Sequence, residues 1–334
     1  MDYRLRLDGA LDDIWEPLWQ MNIHLLDAEK ALLKSKAVRR LHFIRHAGAF
    51  FINSHHTYSR LQHTLGVFAL TVHFEPNNKA LRVAALLHDT GHAPFSHTLE
   101  SIEGVDHHSW TQEVVYSEEV ASILTESSIQ PEEVMEYIEG TRRSLVRNKE
   151  GAVHADHLDS WVRSAYIGGY LPVSITELLD SITYVDGNLH FTADAARHVL
   201  GLIWEEARMH GSPANIGINA MLKKLVNQLI TGGKLDMTRL LSMTDAHIEQ
   251  LLLNDGNTKI EYEQLLMESW RVCVTRDQPA VAAEITSLDK LYLAMPLVEG
   301  VSMAENSPDI VATIQELEQM LGTYYVWWGE DKQG

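Results

Sequence analysis

A histidine and an aspartate stand side by side at the end of an apolar run, at His88 and Asp89. The run before them reads Val-Ala-Ala-Leu-Leu, and His92 and His97 follow shortly after. An imidazole and a carboxylate on consecutive residues can reach one ion from a helix end, because each residue turns a helix by only about 100°. The pair therefore predicts a metal site that is placed for chemistry.

The histidines of the chain are crowded into one region. Eleven of the 18 lie between His42 and His108. Histidines with separate structural roles would be scattered, so the crowding favours a shared site. We interpret His55 and His56, in a polar and loop-like stretch, as ordinary hydrogen-bonded surface or core histidines.

Composition limits the class of protein. With 334 residues and 45% hydrophobic content, the chain is long enough for one large domain or a domain with an appended lobe. It has no run of roughly 18 apolar residues, and its first residues do not resemble a signal peptide. A single cysteine, Cys273, excludes an internal disulfide and fits a reducing compartment. We expect a cytoplasmic protein with no membrane partner.

The charge of the chain is strongly negative but uneven. A formal net charge of −19 argues against a nucleic-acid polymer as partner, since phosphate backbones are bound through basic faces. Residues 30–74 nevertheless contain no Asp or Glu and carry several Lys and Arg, ending in Arg60. Such a local basic field suits a small anion, although a solvated basic face is the alternative for each lysine.

The elements that must position these residues are mostly helices. Apolar residues recur at three-and-four spacing, while alternation typical of strands is scarce. The sequence predicts a mostly α fold with a small mixed α/β C-terminal part: a core at 1–175 that contains the candidate ligands, and a helical continuation at 176–334 packed on it. A hairpin is predicted at Ile182 to Phe191, around Asp186-Gly187-Asn188, and a strand near Thr323 to Trp328. The predicted helical segments are 25–46, 62–74, 79–88, 110–124 and 193–209.

A nitrogen- and oxygen-ligated ion needs more donors than His88 and Asp89. His63 follows Arg60 by one helical turn, and Asp156 stands on a segment whose apolar residues would face a core. Both are candidates if their helix ends meet that of His88.

In this order of motifs the chain resembles the HD superfamily of metal-dependent phosphohydrolases. Within it, the chain is most similar to the branch of the deoxynucleoside triphosphate triphosphohydrolases and the SAM-and-HD-domain protein, without the SAM domain. A lone His-Asp dipeptide would carry no weight, but the ordered set is specific. The matching stretches are 32–44, 60–67, 87–100, His107 with Trp110-Thr111, and 156–159, with weaker likeness at 242–245 and 324–328.

The resemblance implies an HD-domain helical core and assigns roles. The implied metal ligands are His63, His88, Asp89 and Asp156. This nitrogen and oxygen set suits a divalent Mn, Fe, Co, Ni or Mg ion. The implied catalytic residues are His92, His97 and His107, as charge stabilisers or proton donors, and Glu100 as their orienting carboxylate. Arg60 corresponds to a phosphate-contacting arginine.

Other positions depart from the family pattern. His46 replaces a glutamine that reads the sugar, His157 replaces a phosphate-binding lysine, and Ser160 replaces a tyrosine that stacks on the sugar. Ser164 stands in place of a sugar-contacting aspartate, and residues 211–216 lack an Arg/Tyr/His/Lys cluster. We keep His46, His157 and Ser160 as candidate substrate contacts. These departures predict weak discrimination at the sugar and little gain in affinity from mono- to triphosphate.

The function predicted is metal-dependent hydrolysis of a phosphate ester in a nucleotide or a similar small phosphate ester. The closest activity is that of a dNTP triphosphohydrolase, which forms a deoxynucleoside and triphosphate, with relaxed or altered specificity. One alternative is a weakly catalytic nucleotide-sensing interaction protein; another is an HD-type phosphomonoesterase or cyclic nucleotide phosphodiesterase. Retention of all four implied ligands favours an enzyme. Members of the family often assemble, and the apolar tail at 324–328 would suit burial at a subunit or lobe contact, so we also predict a homo-oligomer.

Overall fold

The computed structural model describes residues 6–7, 9–305 and 307–330. It is mainly helical with small sheets, which confirms the predicted fold class. The α-helices are α1 (Asp27–Lys34), α2 (Lys36–Arg40), α3 (Arg60–Phe74), α4 (Lys79–Leu87), α5 (His107–Val115), α6 (Glu118–Glu126), α7 (Pro131–Ile138), α8 (Ala155–Gly168), α9 (Ile175–Asp180), α10 (Ala193–His210), α11 (Pro213–Thr231), α12 (Asp245–Asn254), α13 (Lys259–Met267) and α14 (Pro308–Glu318). Short 3₁₀ helices lie at Leu41–Phe43, Gly48–Ile52, Ser96–Leu99, Met237–Ser242 and Ser269–Arg271.

The strands form three small sheets. They are β1 (Asp13–Glu16), β2 (Met21–His24), β3 (Ile182–Val185), β4 (Asn188–Phe191), β5 (Val272–Thr275), β6 (Glu284–Leu288), β7 (Leu297–Val298), β8 (Val301–Ser302) and β9 (Gly322–Trp328). The sheet orders are β1-β2, β3-β4-β7-β8 and β5-β9-β6, and only the β4–β7 pair is parallel.

The predicted hairpin and C-terminal strand are both present. Ile182 pairs with Phe191, and the two-residue turn at Asp186-Gly187 has positive φ at both residues, as a tight antiparallel hairpin requires. In β9, the central strand of its sheet, Tyr324 and Val326 are buried. The apolar tail thus packs within the chain, so the homo-oligomer remains a prediction from the resemblance.

Two predicted helical segments are each divided by a serine. The segment 25–46 breaks at Ser35, which has an extended backbone and whose Oγ accepts the N–H of Val38 as the cap of α2. The segment 110–124 breaks at Ser117, which caps α6 by accepting the N–H of Val120. Serine competes for backbone hydrogen bonds, and here that local chemistry prevails over the apolar spacing.

The main hydrophobic core surrounds α3, α4 and α8. α3 packs on both α4 and α8, α4 packs on α7, and α10 packs on α8. This core includes residues on both sides of residue 175, such as Leu158 and Ile203, so the two predicted parts share it. A second core lies between α11, the 3₁₀ helices near Phe50 and Leu99, and the β5-β9-β6 sheet. Within the residues that the structure describes, no helix is long and apolar enough to cross a bilayer.

Candidate metal centre

Three helix ends position the four candidate ligands. α3 starts with a capping box in which Ser59 and Gln62 satisfy each other's backbone N–H groups, and this places His63 in its first turns. His88 is the C-cap of α4, and Asp89 follows it. Asp156 lies in the first turn of α8, where a carboxylate is favoured by the helix dipole.

The structure brings these four side chains together. His63 Nε2 lies 3.1 Å from Asp156 Oδ1 and 3.6 Å from Asp89 Oδ2. His88 Nε2 lies 3.6 Å from Asp89 Oδ1 and 3.8 Å from Asp156 Oδ1. Atoms of His63, His88 and Asp156 all lie within 4.8 Å of one another, which is close enough for one ion. The predicted set is thus one cluster in space.

Both imidazoles turn Nε2 towards the cluster: that of His88 has no hydrogen-bond partner, and that of His63 lies 3.1 Å from Asp156 Oδ1. His88 Nδ1 donates to the carbonyl oxygen of Ala85 at 2.9 Å, and His88 Nε2 is buried without a hydrogen-bond partner. His63 Nδ1 lies 2.8 Å from Asp159 Oδ2 and donates to this carboxylate. Such partners fix the tautomer and ring orientation of metal-binding histidines. An orphaned buried nitrogen beside two carboxylates fits a divalent cation.

The charges of the cluster also suit a cation. Burial would raise the pKa of Asp89, but Arg60, His88 and His92 outweigh it and hold that pKa well below its usual range. Burial would lower the pKa of His63, but its hydrogen bonds to Asp156 and Asp159 raise it to about 9. The carboxylates that attract a proton to His63 would equally attract a metal ion.

Asp159, which the sequence interpretation left without a role, supports His63 from behind. It is fully buried, accepts the indole N–H of Trp19 at 2.7 Å and pairs with Arg163 at 2.8 Å. α3 approaches this pair so closely that a Cβ on Gly66 would collide with Asp159, so glycine is needed there. The spacing of Asp156, Asp159 and Arg163 on one helix face was the available signal.

Arg60 serves the cluster as well as the cavity. Its side chain is 3% exposed, Nη1 donates to Asp89 Oδ2 at 2.8 Å, and Nε donates to Ser96 Oγ at 2.9 Å. Arg60 therefore orients a candidate metal ligand, in addition to lying on the cavity wall where the sequence predicts a phosphate contact. The other described cations of the basic stretch do not line this cavity, and Arg40 and Arg45 bind backbone carbonyls and carboxylates.

A second cluster holds the candidate catalytic residues. Glu100 lies 2.6 Å from His107 Nδ1, 2.7 Å from His97 Nδ1 and 3.5 Å from His92 Nδ1. The rings of His92 and His107 stack at 4.3 Å, and His92 Nε2 lies 3.2 Å from Asp89 Oδ1. Burial opposes ionisation of Glu100, yet these imidazoles hold its pKa far below the usual range. One carboxylate thus orients three histidines next to the first cluster.

Local backbone features place this second cluster. Asp106 caps α5 by accepting two backbone N–H groups, directly before His107. α5 abuts the loop so closely that a Cβ on Gly91 would collide with the His107 carbonyl. Phe95 and Ser96 both have positive φ, which non-glycine residues rarely adopt. Such backbone strain clusters at functional sites, and here it lies directly before His97.

Both clusters open on one cavity of about 630 Å³. Arg60, Asp89 and Asp156 line it, as do all four candidate catalytic residues. The three candidate substrate contacts His46, His157 and Ser160 also line it. This size is within the usual range for small-molecule sites.

The candidate substrate contacts differ in what they offer. The ring of His46 stacks on Tyr58 at 4.8 Å and lies 4.6 Å from the ring of His63. Burial lowers the pKa of His157 to about 4, so a neutral imidazole stands where the resemblance places a lysine. Ser160 lines the cavity one helical turn after His157. None of these three side chains supplies a positive charge at neutral pH, because burial also lowers the pKa of His46.

The cavity wall also carries residues that the sequence interpretation missed. Arg147, Lys223 and Lys290 line it, and no carboxylate lies within 4.0 Å of these cations among the described residues. Tyr292 lines it as well, with its ring 5.3 Å from that of His157 and its centroid 4.7 Å from Lys290 Nζ. These residues come from separate segments, and no local spacing relates them to the His-Asp motif.

Comparisons with known proteins agree with this geometry. Residues 60–170 match the sequence model of the HD domain, the segment that contains all four candidate ligands. The uncharacterized protein YwfO of Bacillus subtilis is 25% identical over 223 residues, which are 59% of this chain and 51% of the relative. The uncharacterized protein MJ1154 of Methanocaldococcus jannaschii is 26% identical over 259 residues, 72% of this chain and 55% of the relative. The chain thus spans about half the length of these curated relatives.

Two solved structures share the fold over nearly the whole chain. A hypothetical protein from Aquifex aeolicus has a TM-score of 0.70 at 17% identity and covers 95% of this chain and 96% of its own. A phosphohydrolase from Bacteroides thetaiotaomicron has a TM-score of 0.65 at 15% identity, with coverage of 96% and 100%. At such identities the likeness shows the fold alone. The sequence match places an HD domain at residues 60–170, and the two solved structures share the fold of the chain.

Proposed function

We propose that the chain is a metal-dependent phosphohydrolase that acts on a nucleotide. The observation that carries the proposal is the meeting of the His63, His88, Asp89 and Asp156 cluster with the Glu100-centred histidines on one cavity wall. Metal ligands alone would serve a structural ion. Histidines held by a carboxylate beside them are what acid–base and charge-stabilising chemistry requires.

A divalent cation would be held by His63, His88, Asp89 and Asp156, with positions left open. When bound, such an ion polarises a phosphoryl oxygen and lowers the pKa of a bound water. Mn, Fe, Co, Ni and Mg ions all suit this donor set.

The chain's own side chains then supply positioning and proton transfer. Glu100 lies 2.6 Å from His107 Nδ1, which leaves Nε2 of that ring for the substrate. From there His107 can donate a proton to the leaving oxygen or stabilise charge on the phosphoryl group. His97, held in the same way, is the second candidate for this role. Arg60 holds the Asp89 carboxylate in place and excludes other rotamers of it.

The proposed substrate is anionic and of nucleotide size. Arg147, Lys223 and Lys290 add positive charge to the cavity wall, which favours phosphate groups. The resemblance points most closely to dNTP triphosphohydrolysis. Because His46, Ser160 and Ser164 differ from the family's sugar contacts, the proposed specificity is relaxed or altered.

An activity screen tests the proposal. Protein reconstituted with each of Mn, Fe, Co, Ni and Mg is assayed on dNTPs, NTPs, nucleoside monophosphates, cyclic dinucleotides and simple phosphomonoesters, with products separated by chromatography. We expect hydrolysis of nucleotides, with ribo- and deoxyribonucleotides within about one order of magnitude in kcat/KM. Release of triphosphate would identify the triphosphohydrolase reaction. Binding of nucleotide without turnover under every metal would contradict the proposal.

A further inference from the structure

Glu206 is a buried carboxyl group on α10 that lines the same cavity. The residue is only 5% exposed, and its Oε2 atom has no hydrogen-bond partner. Leaving a buried polar atom unsatisfied costs about 1 to 3 kcal/mol, and more when the group is charged. Such an atom on a cavity wall calls for a partner that arrives from the cavity.

The surroundings of Glu206 provide no cation for it. Among the described residues the nearest basic atom is His210 Nε2, 3.6 Å from Oε1 and beyond hydrogen-bond distance. Burial lowers the pKa of His210 to about 4, so this imidazole is neutral. For the acidic Glu206, burial has the opposite effect and raises the pKa to about 8. The hydrogen bond with the Ser164 hydroxyl offsets only part of this rise.

Glu206 lies next to residues that connect it with the metal cluster. The Ser164 hydroxyl beside it is 3.1 Å from the hydroxyl of Tyr58. The Tyr58 ring stacks on His46, which in turn contacts His63. His46, Asp89 and Glu206 all line the one cavity, so a ligand whose phosphate lies at Asp89 can extend along His46 towards Glu206.

We infer that Glu206 is a specificity-determining residue that accepts hydrogen bonds from the non-phosphate part of the ligand, a sugar hydroxyl or a base N–H group. The inference rests on the proposed function for the orientation of the ligand. Ser164 lacks a carboxylate of its own, and Glu206 supplies one at this position from another helix. Glu206 then alters the specificity of the cavity, because ligands that leave this buried acceptor unpaired bind less well.

Nucleosides are suitable probes because they carry no phosphate, so hydrolysis cannot affect the result. Dissociation constants for the metal-loaded protein are measured by calorimetry or ligand-observed NMR. The sugar hydroxyl donors are lost one by one in the series guanosine, 2′-deoxyguanosine and 2′,3′-dideoxyguanosine. A donor of the base is lost in inosine and in 1-methylguanosine. Glu206→Gln and Glu206→Met are compared with wild type. The matched control is Glu205→Gln, because Glu205 is the neighbouring residue, 59% exposed and paired with Arg208.

We expect wild type and Glu205→Gln to lose about 10- to 100-fold in affinity when one particular donor is removed. The step at which this happens tells a sugar contact from a base contact. In Glu206→Met, which has no oxygen acceptor, the same step should shrink to less than about threefold, whereas Glu206→Gln keeps an accepting amide oxygen and should lie between Glu206→Met and wild type. Both variants should fold, since each removes an uncompensated buried acid.

Two results would overturn the inference. One is the same affinity ratios in wild type and Glu206→Met, as for a carboxyl that binds only an ordered water. The other is no binding of any nucleoside to wild type up to its solubility. Failure of the proposed function looks different: a protein that hydrolyses no phosphate ester but shows Glu206-dependent ratios would refute the hydrolase and keep this inference.

Discussion

Two sets of groups line the cavity and differ in how they are held. On the metal side, formed by the two clusters, Asp159 holds His63 and Arg60 holds Asp89, while the Nε2 atom of His88 is left for an ion. On the far side, formed by Arg147, Glu206, Lys223 and Lys290, Glu206 has an orphaned carboxyl oxygen, and the cations have no carboxylate partner among the described residues. The metal side is largely organised before a substrate arrives, whereas the far side has groups that a substrate would complete.

This difference assigns separate tasks to the two sides. Groups that are held rigidly lose little freedom in a transition state, so they suit chemistry. Unpaired groups gain most when a ligand pairs with them, so they suit binding and selection. Substitutions on the metal side should therefore act on metal content and kcat, and those on the far side on KM and substrate preference.

The largest expected effect is at the ligands themselves. Asp156→Asn removes a charged ligand and should reduce metal content and turnover at least 100-fold, since loss of a supporting group alone costs about 10- to 100-fold. Elemental analysis and steady-state kinetics measure both. Full metal occupancy with normal turnover would contradict the assignment.

Asp89→Asn should cause the same loss of metal content and turnover, and it should also lower the free energy of unfolding. Asp89 is the charge partner of Arg60, whose side chain is only 3% exposed. A buried arginine left without its anion destabilises a protein by about 3 to 5 kcal/mol. Asp156, at 30% exposure and without an arginine partner, gives the matched comparison in denaturant unfolding. Equal unfolding free energies for the two variants would show that Arg60 does not depend on Asp89.

A smaller effect is expected in the Glu100-centred cluster. His107→Gln should lower kcat by roughly 100-fold while metal content stays normal, because the role we propose for His107 is on the substrate and not on the ion. Glu100→Gln should act through the same ring, so the double variant should be little worse than His107→Gln. His55→Gln, at an exposed histidine outside the cavity, is the control. If the losses in kcat of the two single variants added up in the double variant, or if only KM changed, Glu100 would not act through His107.

The metal side could be predicted from sequence because its parts are local. His63, His88 and Asp156 lie at helix ends that caps and apolar spacing reveal, such as the Ser59/Gln62 box before α3. Likewise the Asp186-Gly187 turn indicated the β3–β4 hairpin. Serine caps caused the errors, because Ser117 stops a helix that the apolar spacing continues.

The far side could not be predicted because only the tertiary fold assembles it. Arg147, Glu206 and Tyr292 are far apart in the chain, and each has an ordinary local context. The basic stretch before Arg60 misled for the converse reason. Arg40 and Arg45 belong to one dense run of charge, yet Arg40 donates to the carbonyls of Thr90 and His92, and Arg45 pairs with Glu249. Charge counted along the sequence does not show which cations are already paired in the fold.

The smallest expected effect tests that last point directly. The sequence predicts little gain in affinity from mono- to triphosphate, because the family's phosphate-binding cations are missing. The structure places Arg147 and Lys290 on the cavity instead, with Arg147 3.4 Å from His108 and Lys290 4.7 Å from the centre of the Tyr292 ring. Each side chain should be available to bind a phosphate group that lies far from the metal ligands.

Arg147→Gln and Lys290→Gln should therefore each raise KM for a nucleoside triphosphate about tenfold, roughly one charge-assisted hydrogen bond, and raise KM for the monophosphate much less. kcat should stay within about twofold, because neither residue contacts the metal ligands. Lys149→Gln removes the same charge at an exposed site outside the cavity and should change neither KM. The triphosphate advantage of wild type should also fall as salt rises, since these cations are partly exposed. If both variants raised KM for mono- and triphosphate equally, the far side would act only as a general attractive field, and the sequence-based expectation would be the better one.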